Sequence, residues 1–381
     1  MSTLKVTSIQ NPSTSSGGVS IDTSGHVTVD GVQLPSSGPL SGARNRIING
    51  DMRIDQRGGT ITSPSGSVAY GIDRWRIVRF NDTTGTFTLQ QSATAPAGHT
   101  KSGLITITVA QTSVPSTGLY RFDHSVEGLN TADLGWGAAG AQSITIGFWV
   151  RSSVTGTYGA RVCNSAETRS YVFQYTINTA NTFEYKSITI PGDTTGTWLT
   201  DTGIGIGLNF DLGSGSSFEG TANAWNASNV CRASSNVRLI STSGATFYIT
   251  GVQLEPGTVA TPFERRSYGQ EVQLCQRYFQ QLGGGMVGFE EGNTTHSYGV
   301  RFNQPMRAAP TFALISSSFA YRYINASSVG DRTITVSING ATTISTQGAW
   351  LYFDDVTTGS VQGRGAIERY GSNYINASAE L

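Results

Sequence analysis

Short runs of alternating apolar and polar residues, separated by turn-forming clusters, constrain this chain more than any other feature. In the run Ser143–Arg151, Ile144, Ile146, Phe148 and Val150 share one parity, and Thr145, Gly147, Trp149 and Arg151 share the other. Ile204, Ile206, Leu208 and Phe210 alternate with Gly205, Gly207 and Asn209, and Ile334, Val336 and Ile338 repeat the pattern near the end. Successive side chains of a strand point to opposite faces, so each run reads as a strand with one apolar face. Clusters such as Asn81–Gly85, Pro191–Gly196, Gly213–Gly215 and Ser243–Gly244 supply the turns. Many short strands at this spacing predict an all-β chain of sandwich or jelly-roll type.

Composition then removes whole classes of function. The chain carries 25 basic and 25 acidic side chains, and only Lys5, Lys101 and Lys186 of the basic set are lysine. A neutral chain without a basic block lacks the electrostatic footprint of a nucleic-acid binder. No apolar run approaches the ~18–20 residues of a membrane helix, so membrane insertion is not expected. The opening MSTLKVTSIQ has no apolar core, so a secretory leader is not expected either. Cys163, Cys231 and Cys275 are odd in number and far apart, which suits small buried hydrophobes better than a disulfide framework.

One segment breaks the strand pattern. In Ser267–Leu282 the apolar positions Tyr268, Val272, Cys275, Phe279 and Leu282 recur at spacings of 4, 3, 4 and 3. That period predicts a helix capped by Ser267 and ended by Gly283–Gly285. Val272, Cys275, Phe279 and Leu282 then form a seam that packs either on its own domain or on copies of itself about an oligomer axis.

Four regions follow. Residues 1–43 are short strands in Ser/Gly/Pro-rich sequence, with a hairpin signal at Asp22–Gly25 between Val19–Ile21 and His26–Val29. They hold too few apolar residues for a core, so this arm is expected to order on a partner or its own oligomer. Residues 44–266 form one large jelly-roll β-sandwich, 267–285 the short helix and glycine linker, and 286–381 a smaller C-terminal β-sandwich.

Catalytic material is sparse. His26, His99, His124 and His296 stand at no metal-ligand spacing, and no P-loop, nucleophile elbow or dinucleotide fingerprint occurs. Glu290–Glu291 and Asp354–Asp355 are adjacent, so in strands they point to opposite faces and cannot flank one glycosidic bond. Asp51, Asp55 and Asp73, interleaved with Arg53, Arg57, Arg74 and Arg76, read as structural ion pairs. No catalytic residue, cofactor or transition-metal site is expected. A structural Ca²⁺ is left open, with Asp211 and Glu219 as its candidate ligands.

What remains is aromatic. Sugar rings have apolar faces that stack on flat side chains. Trp149 lies opposite its strand's apolar face, and Gly205 and Gly207 leave the corresponding face of their strand bare. Trp225 sits in a polar stretch expected to be an exposed loop, while Tyr321 and Tyr323 share one parity of a strand and Trp350 and Tyr352 share another. These six are the candidate ligand-binding residues, with packing between strands or subunits as the alternative.

A family resemblance rests on several segments in order. The run Asn45–Arg57 (NRIINGDMRIDQR), then Tyr70–Trp75 (YGIDRW), Phe148–Ser152 (FWVRS) and Ile188–Asp193 (ITIPGD), resembles a β-sandwich domain of bacteriophage tail-fibre and tail structural proteins. So do Tyr248–Gly257 (YITGVQLEPG) with Thr261–Glu264 (TPFE), Gln276–Phe279, Met306–Pro310 and the ending Ala379–Leu381. Leu4–Gln10 with Val27–Gly31 is similar to fibre starts of cyanophages. The resemblance implies a carbohydrate-module-like jelly roll, a place in the virion tail after synthesis in the host cytoplasm, and often a homotrimer. The expected function is a non-enzymatic tail fibre or receptor-binding protein. It would be anchored to a tail or adaptor protein through residues 1–43 and would attach to a host surface polysaccharide. The alternatives are a purely structural virion protein, such as a tail adaptor or capsid decoration, and a glycan depolymerase.

Overall fold

A computed structural model describes residues 8–10, 18–21, 27–29, 32–33, 44–282, 287–290, 295–315, 318–324, 329–342, 344–355, 365–368 and 375–381. The chain divides into two units, one of Met1–Arg53, Thr60–Tyr70 and Trp75–Arg265, the other of Ile54–Gly59, Gly71–Arg74 and Arg266–Leu381. All strand pairings are antiparallel apart from one isolated bridge.

In the N-terminal arm four short strands, Ser8–Gln10, Gly18–Ile21, Val27–Val29 and Val32–Gln33, pair in chain order. Val19 stands opposite Val29 and Ile21 opposite Val27, the hairpin that the sequence predicts. The turn and the remaining arm residues, on which the anchoring expectation falls, lie outside the described residues.

The first unit's core is a two-sheet sandwich. A seven-stranded sheet runs, edge to edge, Ala224–Asn226, Ser170–Ile177, Gly156–Cys163, Ile204–Asp211, Leu119–Glu127, Trp75–Phe80 and Ser67–Tyr70. A six-stranded sheet runs Glu184–Ile190, Ile144–Ser152, Thr246–Pro256, Ser102–Val109, Thr86–Ser92 and Thr60–Thr62. Alternation decides which rows face inward. Ile144, Ile146, Phe148 and Val150 are fully buried, as are Leu208 and Phe210. Rings interlock across the gap, with Phe148 edge-on to Tyr175 and Phe210 at 5.1 and 5.2 Å, and within the seven-stranded sheet Trp75 stacks on Phe122 at 4.8 Å. Burying such side chains stabilises the fold by roughly 1.5–3 kcal/mol each.

The seven-stranded sheet is covered on its outer face as well. The strand Leu119–Glu127 is buried along its whole length, at both parities. Val78 and Leu119 pack beneath Cys231, with Phe80 and Phe218 alongside. Polar residues of the same face are matched in pairs. Arg161 donates to Asn209 at 2.7 Å and pairs with Glu167 at 2.7 Å, while Arg121 lies 3.1 Å from Glu167 and 3.2 Å from Asp123. Gly205 and Gly207 therefore open no room for a ligand. Gly205 lies directly under Thr131 and Gly128, and a Cβ at Gly207 would stand 2.9 Å from the Cys163 sulfur. The two glycines are bare because covering segments lie on them. The candidate calcium ligands are also spoken for, since Arg232 stands 3.3 Å from Asp211 and 2.9 Å from Glu219. A guanidinium occupies the place the cation was expected to take.

In the second unit the helix spans Tyr268–Gln276, with Ser267 and Gln270 forming a reciprocal capping box. The expected helix over 267–282 is thus cut to nine residues. Phe279–Leu282 is a strand paired with Ile375–Ser378, which also pairs with Thr311–Leu314. The 4-3-4-3 spacing runs on through this change of structure, so Val272, Cys275, Phe279 and Leu282 do not line one helical seam. Phe279 and Leu282 are buried within their own unit, where the Arg57 guanidinium lies 3.6 Å over the Phe279 ring. A separate six-stranded sheet closes on itself in the order Val287–Glu290, Thr295–Arg301, Gly348–Asp355, Val329–Thr342, Ser318–Ile324 and Gly365–Glu368. Alternation alone does not distinguish this closed barrel from a two-layer sandwich. The glycines expected to link helix and barrel lie outside the described residues.

Candidate functional site

With one sheet covered on both faces, the outer face of the six-stranded sheet is where the first unit presents an open β surface. Its outward rows follow from register. Trp149 stands opposite Tyr185 on one neighbour and Thr250 on the other, and Arg151 stands opposite Tyr248. Towards the far edge the same face is a row of Thr106, Thr88 and Thr62.

The aromatic half is built around Trp149. Its ring lies 5.5 Å from that of Tyr185, which is 44% exposed and whose phenol lies across Gly147. A β-bulge at Gly251–Val252, opposite Phe148, brings His99 into the same patch. Gly251 has φ +62°, and a Cβ there would meet both His99 Cε1 at 2.7 Å and Trp149 Cδ1 at 3.2 Å. His99 is edge-on to Phe263 at 5.3 Å, and Arg265 rests 5.7 Å over that ring. Burial, helped by the Arg265 charge, holds His99 below the usual histidine range, so its ring is neutral at pH 7. On the other side Arg151 lies 4.9 Å over Tyr248 and 5.9 Å over Phe183. Among the described residues the Trp149 indole N–H makes no hydrogen bond, which leaves one donor beside a partly exposed ring face.

Trp225 belongs to a different arrangement. Instead of sitting in an exposed loop, it lies in the edge strand Ala224–Asn226, opposite Tyr171. Trp136, Trp198 and Trp225 meet edge-to-face, with centroids 4.6, 5.5 and 5.7 Å apart. Every indole N–H is already used. Trp136 donates to the Gln142 carbonyl at 2.7 Å, Trp198 to Thr195 at 3.1 Å and Trp225 to Pro191 at 3.1 Å. Arg169 lies 5.7 Å from the Trp225 ring and grips Asp193 with two hydrogen bonds of 2.8 Å. Burial alone would raise the Asp193 carboxyl, but Arg169 and the Thr195 N–H hold it below the ordinary aspartate range. A cavity of about 60 Å³ lies beside Trp136 and Trp198. Mutually perpendicular rings with satisfied donors pin two loops to the edge strand and offer no flat platform.

In the second unit Trp350 and Tyr352 are partly exposed on the strand Gly348–Asp355, opposite Gly299 and Ser297, and the Trp350 ring lies over Gly299. Tyr321 and Tyr323 are placed in the strand Ser318–Ile324, opposite Arg332 and Gly330, and their side chains lie outside the described residues. Within the acidic–basic cluster Arg53 pairs with Asp51 and Arg57 with Asp73 at 3.5 Å, as read from sequence, whereas Arg74 pairs outside it with Glu380. Among the described residues no group of three His, Cys, Asp or Glu side chains could hold a metal.

Trp149 was singled out from sequence, whereas Tyr185, Tyr248, Phe183, Arg151 and His99, which surround it, were not. Cross-strand register assembles them, and no local spacing announces it.

The sequence matches no protein-family model and no curated protein. Among solved structures it is similar to the enzymatically active domain of Bacteriophage CBA120 tailspike protein 4, at 12% identity and a TM-score of 0.30 over 56% of this chain. That match spans 21% of the tailspike chain. It is also similar to a family 11 carbohydrate-binding module from Clostridium thermocellum, at 12% identity and a TM-score of 0.27, covering 54% of this chain and 99% of the module. The tandem CBM22 domain of Paenibacillus barcinonensis Xyn10C matches at 8% identity and a TM-score of 0.29, covering 91% of this chain and all of that one.

Proposed function

We propose that this chain is a glycan-binding attachment protein of a phage tail, with the outer face of the six-stranded sheet as its binding surface. One observation carries the reading. The partly exposed Trp149, beside the exposed Tyr185, sits on an open β face with an uncommitted indole donor. Sugar recognition needs a flat apolar surface and adjacent hydrogen-bonding groups, and this face offers both. The virion setting, and a copy number of three, follow from the segments that resemble tail-fibre proteins. Several copies per virion would raise a weak single-site affinity by avidity. In this reading the chain acts by binding, and among the described residues of this face no pair of carboxylates converges.

The test is adsorption of the purified full-length protein to host cells and immobilised host polysaccharide. Wild type is expected to bind and Trp149→Ala to bind at least tenfold more weakly. Equal adsorption by both proteins, or none by wild type, would overturn the assignment of this face. New reducing ends released from the polysaccharide would establish an enzyme instead.

A further inference from the structure

We propose that the ligand of this face is an acidic polysaccharide, and that Arg151 receives its carboxylate or sulfate group. This rests on the glycan-binding reading above and adds the charge of the sugar. Several arginines elsewhere in the sandwich are paired with carboxylates, as Arg46 is with Asp133, Arg121 and Arg161 with Glu167, Arg169 with Asp193 and Arg232 with Asp211. Arg151 differs. Among the described residues it makes no ion pair and no hydrogen bond, and its contacts are the rings of Tyr248 and Phe183.

Neighbouring carboxylates are present but committed. Glu184 stands in the register row next to Arg151, opposite Val150, and is held by Lys186 at 2.7 Å and by the Asn178 and Thr179 N–H groups at 2.8 Å. Glu255 is 3% exposed and accepts from Thr261 N–H at 2.8 Å, Thr261 Oγ1 at 2.6 Å and Gln253 at 2.9 Å. A guanidinium lying over two rings is oriented and partly desolvated, and its planar fork suits a carboxylate or sulfate bidentately. Arg265, over Phe263, adds a second cation to the Trp149 and His99 side of the patch. Among the described residues its guanidinium donates only to the Gly98 carbonyl and makes no ion pair. Trp149 would stack on the ring of a sugar whose acidic substituent reaches Arg151, two residues along the strand.

Calorimetric titration of the full-length protein tests this with three chains of matched length: polygalacturonate, dextran sulfate and unmodified dextran, each at low and moderate salt. One or both acidic chains are expected to bind at least tenfold more tightly than dextran, about 1.4 kcal/mol. Arg151→Gln should abolish that preference, and Arg151→Lys should retain part of it, because an ammonium supplies charge without the fork. Unchanged melting temperatures would show that both variants fold. Trp149-dependent binding of dextran equal to that of the acidic chains, or acidic binding untouched by Arg151→Gln, would overturn the charge assignment while leaving glycan binding intact. No Trp149-dependent binding to any of the three, together with no adsorption to host polysaccharide, would overturn both.

Discussion

The side chain of Asn45 completes the hydrogen bonding of a distant strand: its Oδ1 accepts from the Leu254 N–H at 3.1 Å, and its Nδ2 donates to the Val252 carbonyl at 3.2 Å. The same Oδ1 accepts from Ile47 N–H at 2.9 Å, and the Asn45 N–H donates to Glu264 at 2.7 Å. These bonds tie residues 45–47 to the strand Thr246–Pro256 and to Glu264, all within the first unit and all in segments that carry the family resemblance. They hold the fold, and the bulge they support places His99 beside Trp149.

Asn45→Ala would strip partners from two buried N–H groups and a carbonyl. An unsatisfied buried group costs about 1–3 kcal/mol, so a total loss of about 2–4 kcal/mol is expected. Asn45→Asp keeps the acceptor and should lose less. Urea unfolding would check this through a lowered midpoint at constant slope.

Glu167 supplies an acid-sensitive contribution. Burial works against its charge, but Arg121 and Arg161 hold its pKa down to about 2, against an ordinary 4.5. The folded chain therefore keeps this carboxylate ionised where the unfolded chain would protonate it. Its stabilisation is complete above pH 4.5 and fades as pH falls towards 2. Because Glu167 is 29% exposed, about 2 kcal/mol is expected, short of the full value of the shift. Glu167→Gln should flatten the acid limb of a plot of urea midpoint against pH. An unchanged limb would show that other carboxylates govern it.

Much of the sandwich was legible because alternation is a local property. The inward rows Ile144–Val150 and Ile204–Phe210 could be read directly, and so could the helix cap at Ser267. The site was legible at Trp149 alone. Tyr185, Tyr248 and His99 join it through register and a bulge, which are long-range properties. Glycine was misleading for a related reason. Gly205 and Gly207 signal close approach, but a sequence does not say whether a ligand or the chain's own segment makes it. The helix was overread because 4-3-4-3 spacing continues by coincidence into a strand whose residues are buried by other contacts.

Asp73, in the second unit, should titrate near pH 6. Burial raises its pKa from 3.8, and Arg57 and Gln56 only partly offset this, with the Glu380 charge adding to the rise. Between pH 3.8 and about 6 the folded chain holds a proton that the unfolded chain has lost, so stability falls as pH rises through that window. About 3 kcal/mol is involved. Carboxyl NMR titration should find a midpoint near 6, lowered in Glu380→Gln, and Asp73→Asn should remove the slope. A midpoint near 3.8 would contradict this account.

Trp149 and Trp198 should separate binding from stability. Trp198 meets Trp136 and Trp225 edge-to-face, and its N–H is bound to Thr195. Each such ring pair contributes about 0.5–1.5 kcal/mol beyond burial, so Trp198→Ala should cost about 2–3 kcal/mol. Polysaccharide affinity at a temperature where the variant stays folded should not change. Trp149 has a single ring partner, tilted at 5.5 Å, and an uncommitted N–H, so Trp149→Ala should cost less stability than Trp198→Ala and remove most of the binding. Melting curves and calorimetry on the two variants would show the crossed pattern. If Trp198→Ala instead abolished binding while Trp149→Ala left it whole, the tryptophan cluster would be the ligand site, and the open sheet face would be an interface for another protein.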